Sequence, residues 1–131
     1  MTKAKELIYG ANMVPGTVVV SDERTSRPLK YQYIEHGERT AIYRAALNGR
    51  STDDAVLYQI WFPCVDCARA IITSGIKEIV GIAKARALTP PHWIESLETA
   101  ELMLNEAGVK ITMIDEPIGV QMPFNGTLID L

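Results

Sequence analysis

The chain has 131 residues, 47% of them apolar and 22% charged, with a formal net charge of −3. That length suits one domain around one core, expected over residues 1–131, and the composition excludes disordered and collagen-like chains. No apolar run is long enough to cross a bilayer, and the acidic balance argues against a nucleic-acid partner, because gripping a phosphate backbone takes a surplus of cations.

The opening residues MTKAKELIYG carry neither the long apolar stretch nor the small-residue cleavage site of a secretory leader, so the cytoplasm is the expected compartment. Residues 6–11 form a short strand candidate that runs into the turn-rich Asn12-Met13-Val14-Pro15-Gly16. Residues 17–20 are β-branched but bounded by polar residues, and 21–30 read as loop. Within that loop Arg24, Arg27 and Lys30 form a basic cluster with two open readings, a contact for one phosphate or a solvated surface.

Residues 38–47 read as a helix with Ala41, Ile42, Ala45 and Ala46 on its apolar face and Asn48-Gly49 as its stop. A β-rich run follows over 55–62, and Pro63 breaks it. A second helix spans 64–74 and ends at Gly75; 78–83 is a strand. Thr89-Pro90-Pro91 opens a longer helix that runs to about Ala107 and stops at Gly108. Residues 109–114 form another strand, and 116–131 read as a tail with turn signals at Pro117, Pro123 and Asn125-Gly126. Strand and helix alternating in this way predict an α/β sheet with helices on both faces.

The chemistry lies at two helix starts. His36-Gly37-Glu38 opens the first helix, and Pro63-Cys64-Val65-Asp66-Cys67 opens the second, with Cys64 placed 28 residues after His36. Two cysteines three residues apart face the same way on a first helical turn, and the helix N-terminus favours their thiolates. In a reducing compartment such a pair points to metal or redox chemistry rather than to a structural disulfide. An imidazole from the other helix start completes a Cys2His set for Zn2+, and three protein ligands leave one tetrahedral position for water. Glu38, two residues from His36, is placed to take that water's proton and deliver it to a substrate. H-x-E with P-C-x-x-C is the pattern of zinc-dependent deaminases. The rival for a lone C-x-x-C is a thioredoxin-like redox pair, and the rival for the whole set is a structural zinc site. The latter wants a fourth Cys or His, for which His92 is the remaining candidate.

At these residues the chain resembles the cytidine and deoxycytidylate deaminase superfamily, and more narrowly the deoxycytidylate (dCMP) deaminases. Similar segments are Asn12-Met13-Val14-Pro15-Gly16, Arg27-Pro28-Leu29-Lys30-Tyr31, Ala41-Ile42-Tyr43, and Trp61-Phe62-Pro63 running through the cysteines to Ile72. The resemblance covers about residues 6–115. It implies a three-layer α/β/α sandwich around a mixed sheet, a zinc hydroxide attacking C4 of a cytosine ring, and release of ammonia. It also implies a substrate contact at Asn12; the other candidate contacts are Arg27 and Lys30, close before His36, Thr40, two residues after Glu38, and Trp61, Phe62 and Pro63, beside the metal segment. The bland readings beside these are a turn for Asn12 and core packing for the two aromatics.

Three departures stand out. Gly37 replaces the family's usual Ala, as in fungal cytosine deaminases. Thr40 stands where nucleotide-acting members commonly carry Asn. The family's first helix and strand have no counterpart in the pattern, which predicts an exposed sheet edge and a homo-oligomer that covers it. The expected function is hydrolytic deamination of a small-molecule cytosine nucleotide, dCMP first. The rivals are deamination of a free base or other aminated heterocycle, a non-catalytic zinc-stabilised module, and nucleic-acid editing, which the acidic charge disfavours.

Overall fold

In the computed structural model the described residues are 7–131, and they fall into two compact units divided between Thr52 and Asp53. No helix among them is long and apolar enough to cross a membrane.

The first unit holds α1 (Lys30–Tyr33) and α2 (Gly37–Leu47). The sequence left the start of α1 in a loop and its end unassigned. Residues 7–11 are not a strand, and Glu6 lies outside the described residues. The ladder contact nearest this stretch comes two residues later. Met13 and Glu35 form an isolated antiparallel bridge, with Met13 N–H to Glu35 O at 3.1 Å and Glu35 N–H to Met13 O at 2.9 Å. Helix α2 ends as its sequence predicts. Gly49 adopts φ +66°, its N–H bonds Ala46 O, and Arg50 N–H bonds Ala45 O, the paired bonds of a Schellman stop. The Asn48 amide adds a bond to Arg44 O at 2.7 Å.

The second unit is a parallel sheet in the order β1-β2-β3, formed by β1 (Val56–Tyr58), β2 (Glu78–Ile82) and β3 (Lys110–Ile114). Leu57 pairs Ile79, and Ile79 pairs Ile111. The crossovers are α3 (Val65–Thr73) and α5 (Ile94–Glu106), which pack on each other. Right-handed crossovers that advance in one direction put both helices on one face of this sheet. Ile71 from α3, Ile79 from β2 and Leu104 from α5 are fully buried there, with Ala68, Leu97 and Ala100 between them. Small residues at 68 and 100 allow the two helices to approach. Truncating Leu104 to Ala in such a core costs about 2–5 kcal/mol. Helices α3 and α5 stop at Gly75 and Gly108 in the manner of α2.

Three elements differ from expectation. The strand predicted over 55–62 ends at Tyr58, with one further bond from Gln59 N–H to Val80 O. Trp61 and Phe62 leave the sheet to pack elsewhere. The alanine-rich Ala83–Ala87 continues β2 directly as α4, because Ala is the strongest helix former and Ala85 is buried. The tail is a hairpin, β4 (Gln121–Phe124) and β5 (Thr127–Asp130), closed by Asn125 and Gly126 at φ +48° and +80°. Two consecutive positive φ values are what a type I′ turn demands, and Asn-Gly is its preferred sequence. Leu131 is buried with Ile82 and Ala85, against Trp61, Ile114, Met122 and Ile129. Parallel and antiparallel pairing are thus both present, though in separate sheets.

Candidate functional site

In the first unit, His36 is the N-cap of α2, extended at φ −73° and ψ 149°, and its carbonyl accepts the first helical bond from Thr40 N–H at 2.9 Å. Glu38 follows in the first turn, where the helix dipole favours a carboxylate. Thr40 is buried, one turn in. Glu35 takes part from the other side: its carboxylate accepts from His36 N–H at 3.2 Å and forms an ion pair with Arg39.

The segment before Met13 is fastened to this helix start. A Cβ built on Gly10 would lie 2.1 Å from Gly37 O and 2.5 Å from Ala41 N, so only glycine fits. The Asn12 carboxamide oxygen accepts from Gly37 N–H at 2.7 Å. Arg44 donates to Tyr9 O at 3.1 Å and lies 3.6 Å from the Met13 sulfur. The partners of Arg44 and Gly10 lie 35 and 27 residues away in the chain, beyond the reach of helical periodicity.

The basic cluster of the same unit is partly engaged within the protein. The Arg24 guanidinium lies 4.5 Å from the Tyr33 ring centroid and donates to Val19 O at 2.9 Å. The Lys30 ammonium lies 5.5 Å from the Tyr31 ring, and Arg27 is exposed.

In the second unit, Cys64 is the N-cap of α3 at φ −73° and ψ 173°, and its carbonyl accepts from Ala68 N–H at 2.8 Å. Cys67 is 0% exposed and Cys64 7%, and neither forms a disulfide. Val65 N–H donates to the hydroxyl of Ser96, on α5, at 3.1 Å. Asp66 forms an ion pair with Arg69 along the helix. Pro63 is fully buried and fixes the turn into α3. Phe62 is also buried, with the Arg86 guanidinium 4.0 Å from its ring and Glu101 paired to that guanidinium. Trp61 packs against Phe124, ring centroids 5.3 Å apart. Each aromatic therefore has a ring face against the protein itself. His92 is exposed beside Trp93.

The two halves share one design: a ligand-type residue at the N-cap of a helix, held extended, with an acidic residue two positions later.

The sequence model of the cytidine and deoxycytidylate deaminase zinc-binding region matches residues 1–83. This chain belongs to that family. Among its relatives, the deoxycytidylate deaminase of Enterobacteria phage T2 is 42% identical over 65 residues, which cover 50% of this chain and 34% of that protein. The human deoxycytidylate deaminase is 37% identical over 82 residues, covering 61% of this chain and 41% of the human protein. The matches thus span well under half the length of these relatives. The fold is similar to that of the dCMP deaminase from cyanophage S-TIM5 solved in complex with dCMP and dUMP. Its TM-score is 0.63 at 18% identity, over 87% of this chain and 76% of that one.

Proposed function

We propose that the chain is a zinc-dependent hydrolytic deaminase of a cytosine-containing nucleotide, with dCMP the first candidate, and that residues 1–131 act as one catalytic domain. His36, Cys64 and Cys67 hold the metal, and Glu38 moves the protons. The observation that carries this reading is the match of residues 1–83 to the deaminase zinc-binding region, with one imidazole and two buried thiols standing at helix starts inside it. Two buried cysteines and one imidazole match zinc's preference for sulfur and nitrogen, and three ligands suit a catalytic site with an open position.

Bound there, zinc supplies Lewis acidity and lowers the pKa of a water toward neutrality. The chain's own residues do the rest. Glu38, in the first turn of α2, takes a proton from the attacking water and passes it to the ring nitrogen, then takes the second proton from the new C4 hydroxyl and delivers it to the departing amine. A C–O bond forms at C4, the C–N bond breaks, and ammonia leaves. Arg27 and Lys30 precede His36 by nine and six residues and are the cations proposed to meet a phosphate. Thr40, buried two residues after Glu38, is the residue proposed to meet the ring. Trp61, Phe62 and Pro63, in the segment that leads into Cys64, are the remaining residues proposed to meet the substrate.

The relatives named as deoxycytidylate deaminases, and the cyanophage protein solved with dCMP and dUMP, favour the monophosphate. Gly37 and Thr40 favour a second reading, a free base or other aminated heterocycle. An ammonia-release screen over bases, nucleosides and monophosphates decides between them. Release from dCMP well above release from cytosine supports the nucleotide reading; equal or greater release from the free base replaces it. Silence across the whole panel rejects both.

A further inference from the structure

A helix leaves its first N–H groups without partners inside the helix, and a side chain at the N-cap position usually serves one of them. Ser, Thr, Asp and Asn do this well. In α2 and α3 the N-cap positions are occupied by His36 and Cys64, and neither makes a side-chain cap hydrogen bond. The first N–H of each helix, which lies short of the N2 and N3 groups an N-cap side chain serves, is held by a distant side chain. Gly37 N–H donates to the Asn12 carboxamide oxygen, 25 residues earlier in the chain, at 2.7 Å. Val65 N–H donates to the Ser96 hydroxyl, 31 residues later, at 3.1 Å.

The two arrangements are alike in detail. Both N-caps are extended, at φ −73° with ψ 149° and 173°. Both N-cap carbonyls accept the first helical bond, from Thr40 and Ala68. In both, the remote acceptor holds the residue directly after the ligand-type residue, and so fixes the peptide plane from which that side chain projects. Asn12 and Ser96 are the residue types that cap helices best, yet they stand far from the helix starts they serve.

We propose that Asn12 and Ser96 are positioning residues for the metal ligands. Each holds the peptide N–H directly after a ligand residue and so fixes the backbone from which the imidazole or the thiol projects. This rests on the reading of His36, Cys64 and Cys67 as the zinc set. It gives Asn12 a role that needs no contact with substrate, and Ser96 a role that no sequence motif suggests. Outer partners of this kind typically govern metal affinity by about 10-fold to 100-fold.

The test is the affinity of the full-length protein for Zn2+ alone, measured by competition with a chromophoric chelator in the absence of substrate. Asn12→Ala and Ser96→Ala should each weaken zinc binding about 10-fold. Asn12→Asp and Ser96→Thr keep the acceptor oxygen and should stay within about threefold of wild type. Asn48→Ala removes a bond at the other end of α2 and serves as the control for a merely structural cap: it should lower thermal stability and leave zinc affinity unchanged. Alanine variants that bind zinc as wild type does would overturn the proposal, as would an equal loss in Asn48→Ala. A second measurement needs no variant. In the wild-type protein the Gly37 and Val65 amides should exchange with deuterium at least tenfold more slowly than in an unstructured peptide; free exchange at either would overturn the assignment there. Wild-type protein that binds no zinc would instead reject the ligand set itself, so the two failures are told apart.

Discussion

Adding one methyl group at Gly10 should disable the protein, while the same change at Gly37 should not. A Cβ on Gly10 meets Gly37 O at 2.1 Å, Ala41 N at 2.5 Å and the Ala41 Cβ at 2.9 Å, two of the three being backbone atoms. Ordinary contact begins near 3.4 Å, so Gly10→Ala forces a displacement of about 1.3 Å between its own segment and the first turn of α2. The atoms that must move flank His36 and Glu38. Overpacking of this kind costs about 1–3 kcal/mol of stability. A misplacement of ~1 Å in a catalytic group costs on the order of 10²-fold in rate, equivalent to about 2.7 kcal/mol of transition-state stabilisation. At Gly37 the three nearest atoms to a Cβ all lie at 3.4 Å, so Gly37→Ala should fold with stability within about 1 kcal/mol of wild type. Urea unfolding and kcat/KM on dCMP, measured on both variants, check the pair. A Gly10→Ala protein with wild-type stability and turnover would refute the close approach and the argument built on it.

Other outcomes follow from the same geometry. Glu38→Ala should keep its zinc and its fold but lose turnover by roughly 10²-fold to 10⁴-fold, the scale of a general acid and base; elemental analysis beside steady-state kinetics separates the two effects. Arg27→Ala should weaken dCMP turnover strongly and leave activity on deoxycytidine nearly unchanged, because binding energy from a remote phosphate helps position the ring. Equal losses on both substrates would remove Arg27 from the phosphate contact. Val19, Val20, Leu47 and Tyr58 are exposed apolar side chains, so light scattering should report a homo-oligomer at micromolar concentration; a stable monomer would count against that assembly.

What could be read from the sequence was the local part of the fold. Helices α2 and α3 were legible because each joins a run of helix formers to an Asn-Gly or Ser-Gly stop, and both Gly49 and Gly75 take the positive φ that such stops need. The ligand-type residues stood out because His36, Glu38, Cys64 and Cys67 keep short fixed spacings set by one helical turn. The rest depends on contacts between segments far apart in the chain. Residues 7–11 have strand composition but lie beside α2, where Gly10 and Gly37 touch, rather than in a ladder. The strand predicted through Phe62 stops early because Trp61 is drawn into a cluster with Phe124 and Leu131, whose hairpin was not foreseen although its Asn125-Gly126 turn was. Ser96 sits unremarkably within a helix, and nothing near it in sequence says that its hydroxyl serves Val65. Helix α4 was hidden by the strand before it, since alanine carries no period of its own.

The most direct test of the account is the zinc content of the purified protein by elemental analysis, compared between wild type and Cys67→Ser. Three ligands forming one site predict about one zinc per chain in wild type. They also predict near-complete loss in the variant, with reduced stability because the metal's binding free energy contributes to folding. A wild-type protein without zinc, or a Cys67→Ser protein that keeps a full complement, would contradict the assignment of His36, Cys64 and Cys67 as a catalytic metal centre.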